Sequence, residues 1–201
     1  MASDAVTWKN DQVSARETEE IVRLARKQIS CEGDFAEMGC YKGDTSLLLA
    51  EVLHGGKKRL FLYDSFEGLP EKSVADASAA GEDFRVGELG VTKREVKERF
   101  LRAGLRVPVI KKAWFNELCD EDLPKKIAFA FLDGDFYESI KTSLVLVGTK
   151  IAKKGVVAVH DYDNPALPGV TKAVDEWLEG KTGREFECAG RVESLMILQK
   201  K

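Results

Sequence analysis

Residues 126–161 read KIAFAFLDGDFYESIKTSLVLVGTKIAKKGVVAVHD. The first part, KIAFAFLD, is a continuous apolar run, as expected of a strand covered on both faces. It stops abruptly at Asp133-Gly134-Asp135. YESIKTSLVLVGTKI then carries apolar residues at helical spacing, and KKGVVAVHD is a second buried strand that ends on His160-Asp161. Two buried strands joined by a helix form a crossover unit of a parallel sheet. Such a unit brings both strand ends to one edge of the sheet. Asp133, His160 and Asp161 are therefore predicted to converge there, where open sheets place their ligands.

The alternation extends in both directions. Upstream, residues 1–14 read as a loose arm and residues 15–29 as an amphipathic helix, so that 1–30 form an N-terminal arm and helix. DFAEMG (34–39) is a strand. DTSLLLAEVLHGG is a helix that Asp44 or Thr45 can cap and Gly55-Gly56 can stop. RLFLYD (59–64) is a strand, TKREVKERFLRAGL a helix and VPVIK (107–111) a strand. Downstream, GVTKAVDEWLEGK is a helix. REFECAG and VESLMILQKK form a closing antiparallel pair, predicted to turn at Ala189-Gly190-Arg191. Between the second strand and its helix, residues 67–92 are polar and rich in Gly and Ala. They are expected to be a lid with little fixed structure. The fold class is α/β, a single domain over residues 1–201 with a mainly parallel sheet.

Composition limits the function. The chain has 201 residues, 44% apolar and 32% charged, with a net charge of -3. That balance fits an ordinary globular protein and offers no basic surface for nucleic acid or an anionic membrane. The four cysteines are widely spaced without a CxxC pair, so neither a zinc ribbon nor a dithiol site is expected. There is no apolar signal core near the start and no run long enough to span a membrane. The expectation is a cytoplasmic protein with free thiols. No residue pattern fixes an oligomeric state, and a homodimer is the general expectation for a symmetric assembly.

EMGCYKG (37–43) joins a strand to a helix through a turn flanked by Gly39 and Gly43, with Cys40 and Tyr41 inside it. Glycines permit close backbone approach, and the helix start offers unpaired N–H groups. Glu37 can accept from an ammonium or a hydroxyl. The spacing is neither G-x-G-x-x-G nor a Walker loop, which argues against nicotinamide or nucleoside-triphosphate chemistry. Asp64 ends the next strand, where a carboxylate can hold the two hydroxyls of a ribose, and Ser65 and Phe66, which follow it, can line the adenine side. At the other site, two carboxylates and an imidazole suit Mg²⁺ or Mn²⁺.

FAEMGCYKGDTSLLLA, LYDSFEGLP, FLDGDFYESIKTSL and GVVAVHDYDNPALPGVTKAVDEW together resemble the macrocin O-methyltransferase family. That family lies within the Rossmann-like class I S-adenosylmethionine-dependent methyltransferases, and its members methylate sugar hydroxyls of macrolides. The resemblance implies a seven-stranded sheet with an antiparallel terminal strand. It places Glu37, Gly39 and Gly43 at the methionine end of S-adenosylmethionine, Asp64 at the ribose, and Trp114 and Phe115 near the adenine. It assigns a divalent metal to Asp133 and to the pair His160/Asp161. In the family that pair is usually two aspartates, so His160 departs from the pattern. A ligand to a softer cation, a general base and a structural histidine all stay open for it.

The function expected is methyl transfer to a hydroxyl of a small sugar, phenol or other metabolite, with Asp133 or His160 taking the proton. A metal-independent methyltransferase with His160 as base, and a non-catalytic module that binds S-adenosylmethionine, are the alternatives.

Overall fold

The computed structural model describes residues 11–201; residues 1–10, most of the expected arm, lie outside the described residues. The elements run α1 (Ala15–Lys27), β1 (Asp34–Met38), α2 (Asp44–Val52), β2 (Leu60–Asp64), α3 (Lys93–Arg102), β3 (Val109–Lys112), β4 (Ile127–Leu132), α4 (Tyr137–Gly148), β5 (Ile151–Val159), α5 (Pro168–Glu179), β6 (Phe186–Val192) and β7 (Leu195–Lys200). The sheet order is β3-β2-β1-β4-β5-β7-β6. β7 enters antiparallel between β5 and β6, and the remaining pairs are parallel. This is the mainly parallel sandwich that the sequence predicts.

Apolar alternation fixes the layers. Ala130, Leu132, Val157 and Val159 pack with Ile140, Leu144, Val170 and Trp177 of α4 and α5. Phe129, Phe131, Val156 and Ala158 face the other way, onto Ile21, Leu24, Leu47 and Phe100 of α1, α2 and α3. A register shift between Ile127 and Phe129 turns Ala128 and Phe129 to the same face. β4 is buried at every residue, which is why it reads as an unbroken apolar run.

Capping sets the helix starts. Ser14 and Glu17 form a capping box on α1, and Thr92 and Glu95 form one on α3. α2 starts differently from expectation. Gly43, with φ of 82°, is the cap, and Asp44 in the first turn pairs with Arg99 at 2.5 Å. The last hairpin also differs. Gly190 lies inside β6 beside a register shift, and the chain turns three residues further on, at Glu193-Ser194. The glycine accommodates a bulge in place of the predicted turn.

Residues 67–92 carry fixed structure. Leu69 N–H donates to Glu88 O (2.8 Å) and Gly87 N–H to Leu69 O (2.9 Å), closing a neck. Between them, buried Asp76 accepts from the Tyr137 N–H at 2.7 Å and so caps α4 from outside that helix. Among the described residues no helix is long and apolar enough to cross a membrane, and the four cysteines are free.

Candidate active site

The turns that leave β1, β2, β4 and β5 at the carboxyl edge share a backbone signature. Tyr41, Phe66, Asp135 and Asp161 all have positive φ, between 44° and 60°. Non-glycine residues held there cost about 1–3 kcal/mol each, and such strain gathers at functional sites. Gly39 has a harder requirement. A Cβ there would lie 2.0 Å from the carbonyl oxygen of Asp133, so glycine lets the end of β1 close onto the end of β4.

These turns surround a cavity of about 540 Å³, within the range of small-molecule sites. Its wall includes Gly39, Cys40, Tyr41, Asp64, Ser65, Trp114, Phe115 and Asp133, all expected from the sequence. Glu37 and Gly43 stand behind that wall. Phe66 is 8% exposed and belongs to the core on the α1–α3 face, so it does not line the cavity. Cys40 is both wall and buried filler, and burial followed by the Asp64 and Glu37 charges raises its thiol well above the usual range.

Asp64 organises two turns. Oδ2 accepts from the Cys40 N–H (2.9 Å) and the Tyr41 N–H (3.1 Å), and Oδ1 from the Phe66 N–H (2.7 Å). Oδ1 keeps a lone pair for a ligand hydroxyl. Glu37 is 1% exposed, and its Oε2 has no hydrogen-bond partner. Burial pushes its carboxyl well above the ordinary range and the Asp133 and Asp64 charges add to that; nearby Ser46 tempers the shift without bonding at ordinary length. A buried acid in that state calls for a cationic or hydrogen-bonding partner.

Asp133, His160 and Asp161 do converge, as the sequence predicts. Their ligand atoms lie within 4.8 Å of one another. His160 Nδ1 is 3.0 Å from Asp133 Oδ1 and 3.0 Å from Asp161 Oδ2, and Nε2 is 3.5 Å from Glu17 Oε2. Burial works against a charge on this ring, but Asp133, Asp161 and Glu17 outweigh it and hold His160 well above the usual imidazole range. Both ring nitrogens face carboxylates, and only Asp133 of the three lines the cavity. The donor set fits a divalent cation. A proton and a cation are then alternatives at Nδ1.

Some site residues were not legible as such. Asp135 reads as a cap for α4, yet that helix has Phe136 at its N-cap with no side-chain bond, and Asp135 lines the cavity. Burial, then the charges of Asp133 and Asp161, raises its carboxyl well above the ordinary range. Glu17, the capping-box residue of α1, carries no functional signal in the sequence. Gln12 and Val13 also reach the cavity wall. Asn164 Nδ2 donates to Asp161 Oδ1 at 2.8 Å, while Asp163 turns away to Arg191 at 2.7 Å.

A family model described as macrocin-O-methyltransferase (TylF) matches residues 15–184. The chain belongs to that family. The match covers the cavity wall except for Gln12 and Val13. A curated relative from Streptomyces olivaceus, the 8-demethyl-8-(2,3-dimethoxy-alpha-L-rhamnosyl)-tetracenomycin-C 4'-O-methyltransferase, is 32% identical over 139 residues. That alignment covers 65% of this chain and 53% of the relative, so it spans about half of the relative's length. Among solved structures, the O-methyltransferase NovP superposes with a TM-score of 0.80 at 24% identity, covering 92% of this chain and 80% of NovP. The calicheamicin methyltransferase CalS11 follows at 0.71 and 19% identity, covering 91% and 78%. At these identities the likeness to both structures is one of fold.

Proposed function

We propose that the protein transfers the methyl group of S-adenosylmethionine to a hydroxyl of a small molecule, with a divalent cation beside the reacting oxygen. The observation that carries this reading is that Asp64 and Asp133 share the wall of one cavity at the carboxyl edge of the sheet. In a chain of the macrocin O-methyltransferase family, these are a ribose acceptor and a proton acceptor placed side by side.

S-adenosylmethionine supplies a methyl group on a sulfonium. The protein's own part is binding, alignment and proton removal. Asp64 accepts from the ribose hydroxyls, Glu37 stands behind the Gly39 turn for the amino group, and Trp114 and Phe115 offer flat apolar faces to the base. Gly68, Leu69, Pro70 and Leu89 of the 67–92 segment form part of the wall and act as its cover, keeping water from the sulfonium.

Asp133 is the base. It takes the hydroxyl proton as the oxygen–methyl bond forms and the sulfur–methyl bond breaks. His160 has neither nitrogen directed to the cavity, so it acts through Asp133 and Asp161 by fixing their position. Asp133, His160 and Asp161 would hold the cation, whose charge makes a nearby hydroxyl more acidic. The carboxylates of Asp133 and Glu138 in the wall favour neutral acceptors over anionic ones. The named activity of the curated relative makes a glycosyl hydroxyl the first acceptor class to try.

The test is methyl transfer from labelled S-adenosylmethionine to a panel of glycosides, phenols and polyols, with and without EDTA. Transfer to a hydroxyl that EDTA suppresses and added cation restores is the expected result. Asp133→Asn should lower kcat about 100-fold or more, leaving cofactor affinity nearly unchanged. Full activity in that variant would contradict the assignment. Transfer untouched by EDTA would remove the cation.

A further inference from the structure

Glu17 does more in this structure than start α1. An exposed glutamate would complete the capping box equally well, yet this one is 3% exposed and turned inward. Its carboxylate is fixed from two directions. Oε1 accepts from the backbone N–H (2.9 Å) and the hydroxyl (2.7 Å) of Ser194, in the turn between β6 and β7. Oε2 accepts from the Ser14 N–H at 3.1 Å and faces Nε2 of His160 at 3.5 Å. The last is an electrostatic contact, longer than a good hydrogen bond. Nδ1, on the opposite side of the ring, points into the gap between Asp133 and Asp161. When a cation replaces the proton on Nδ1, the proton left on Nε2 faces the fixed Glu17 carboxylate.

We infer that Glu17 is a positioning residue for the cation site: it holds the His160 ring with Nε2 toward its own carboxylate, so that Nδ1 can join Asp133 and Asp161 as a ligand and the site takes Zn²⁺, Co²⁺ or Mn²⁺ in preference to Mg²⁺. The inference rests on the cation reading of the previous section and adds the residue that tunes it. A histidine ligand is ordinarily oriented by a carboxylate on its other nitrogen, and that partner affects metal affinity about 10–100-fold. Asp161 has its own support in the Asn164 amide. Imidazole among carboxylates moves preference from a hard cation that demands oxygen toward first-row transition cations. Because Ser14 and Ser194 share the same carboxylate, the start of α1 and the β6–β7 turn are built into the geometry of the site.

The chain has only two histidines. His54 is exposed and distant in sequence, so it serves as an internal reference. Histidine-selective ¹⁵N labelling of the full chain, titrated with Zn²⁺ and separately with Mg²⁺, reads the ring directly. The expected result is a Zn²⁺-induced shift of His160 Nδ1 with the proton retained on Nε2, while Mg²⁺ moves neither ring at the same concentration. Calorimetry on Glu17→Gln should show Zn²⁺ affinity lowered about 10–100-fold and Mg²⁺ affinity changed far less. A purely structural role would weaken both cations alike and leave their ratio fixed. His160→Asp, a second variant that leaves α1 untouched, should reverse the preference toward Mg²⁺. Binding of cations with Mg²⁺ preferred, or with His160 Nδ1 unmoved, overturns this inference and leaves a site of carboxylates. If the wild-type protein binds no cation, the cation reading itself falls, and this inference with it.

Discussion

Glu37 is where the site most opposes the fold. Its buried carboxyl is raised well above the ordinary value of 4.5, so the folded chain keeps a proton that the unfolded chain releases. Between 4.5 and the raised value the native state binds more protons, and stability contributed at this position falls as pH increases. Glu37→Gln removes that dependence at nearly constant shape. In the absence of ligand, the variant should melt with the wild type near pH 4 and at a higher temperature than the wild type at pH 8. A wild type that is the more stable at pH 8 would mean that Glu37 is ionised and satisfied in the fold. The sequence shows Glu37 as an acid at a strand end. It does not show that Oε2 lacks a partner, because that depends on the residues that the closed sheet and α2 put around it. The same limit hid Glu17, whose contacts with His160 and Ser194 come from segments far apart in the chain.

At the scale of elements, apolar periodicity was a sufficient guide to β1, β4, β5 and α5, because each buries side chains in the pattern its geometry demands. Punctuation by glycine was less informative. Gly190 sits in a bulge of β6 and Gly43 is itself the cap of α2, two uses that local sequence does not separate from a turn. The 67–92 segment shows the converse. Its composition predicts looseness, but Asp76 ties it to α4 through the Tyr137 N–H and packs so tightly on α5 that a Cβ at Gly169 would lie 1.9 Å from Oδ1. Asp76→Ala should lower stability by about 1–2 kcal/mol, the cost of a lost helix cap. Hydrogen exchange should quicken in residues 69–87 and in the first turn of α4 together. Faster exchange in only one of these segments would show that Asp76 does not join them.

For the whole molecule, sheet order explains the position of the cavity. From β1 the chain proceeds outward through β2 to β3, then returns to β4 and proceeds the other way to β5. The turns after β1 and β4 therefore diverge, and the cavity opens at that reversal, where doubly wound sheets bind ligands. Asp64 and Asp133 reach it from either side. The most direct measurement is calorimetric titration of the wild-type protein and of Asp64→Asn with S-adenosylmethionine. The account predicts one saturable site in the wild type, weakened about 10-fold or more in the variant through loss of a charged acceptor, with a melting curve that shows the variant folded. No binding to the wild type, or equal affinity in both proteins, would contradict it.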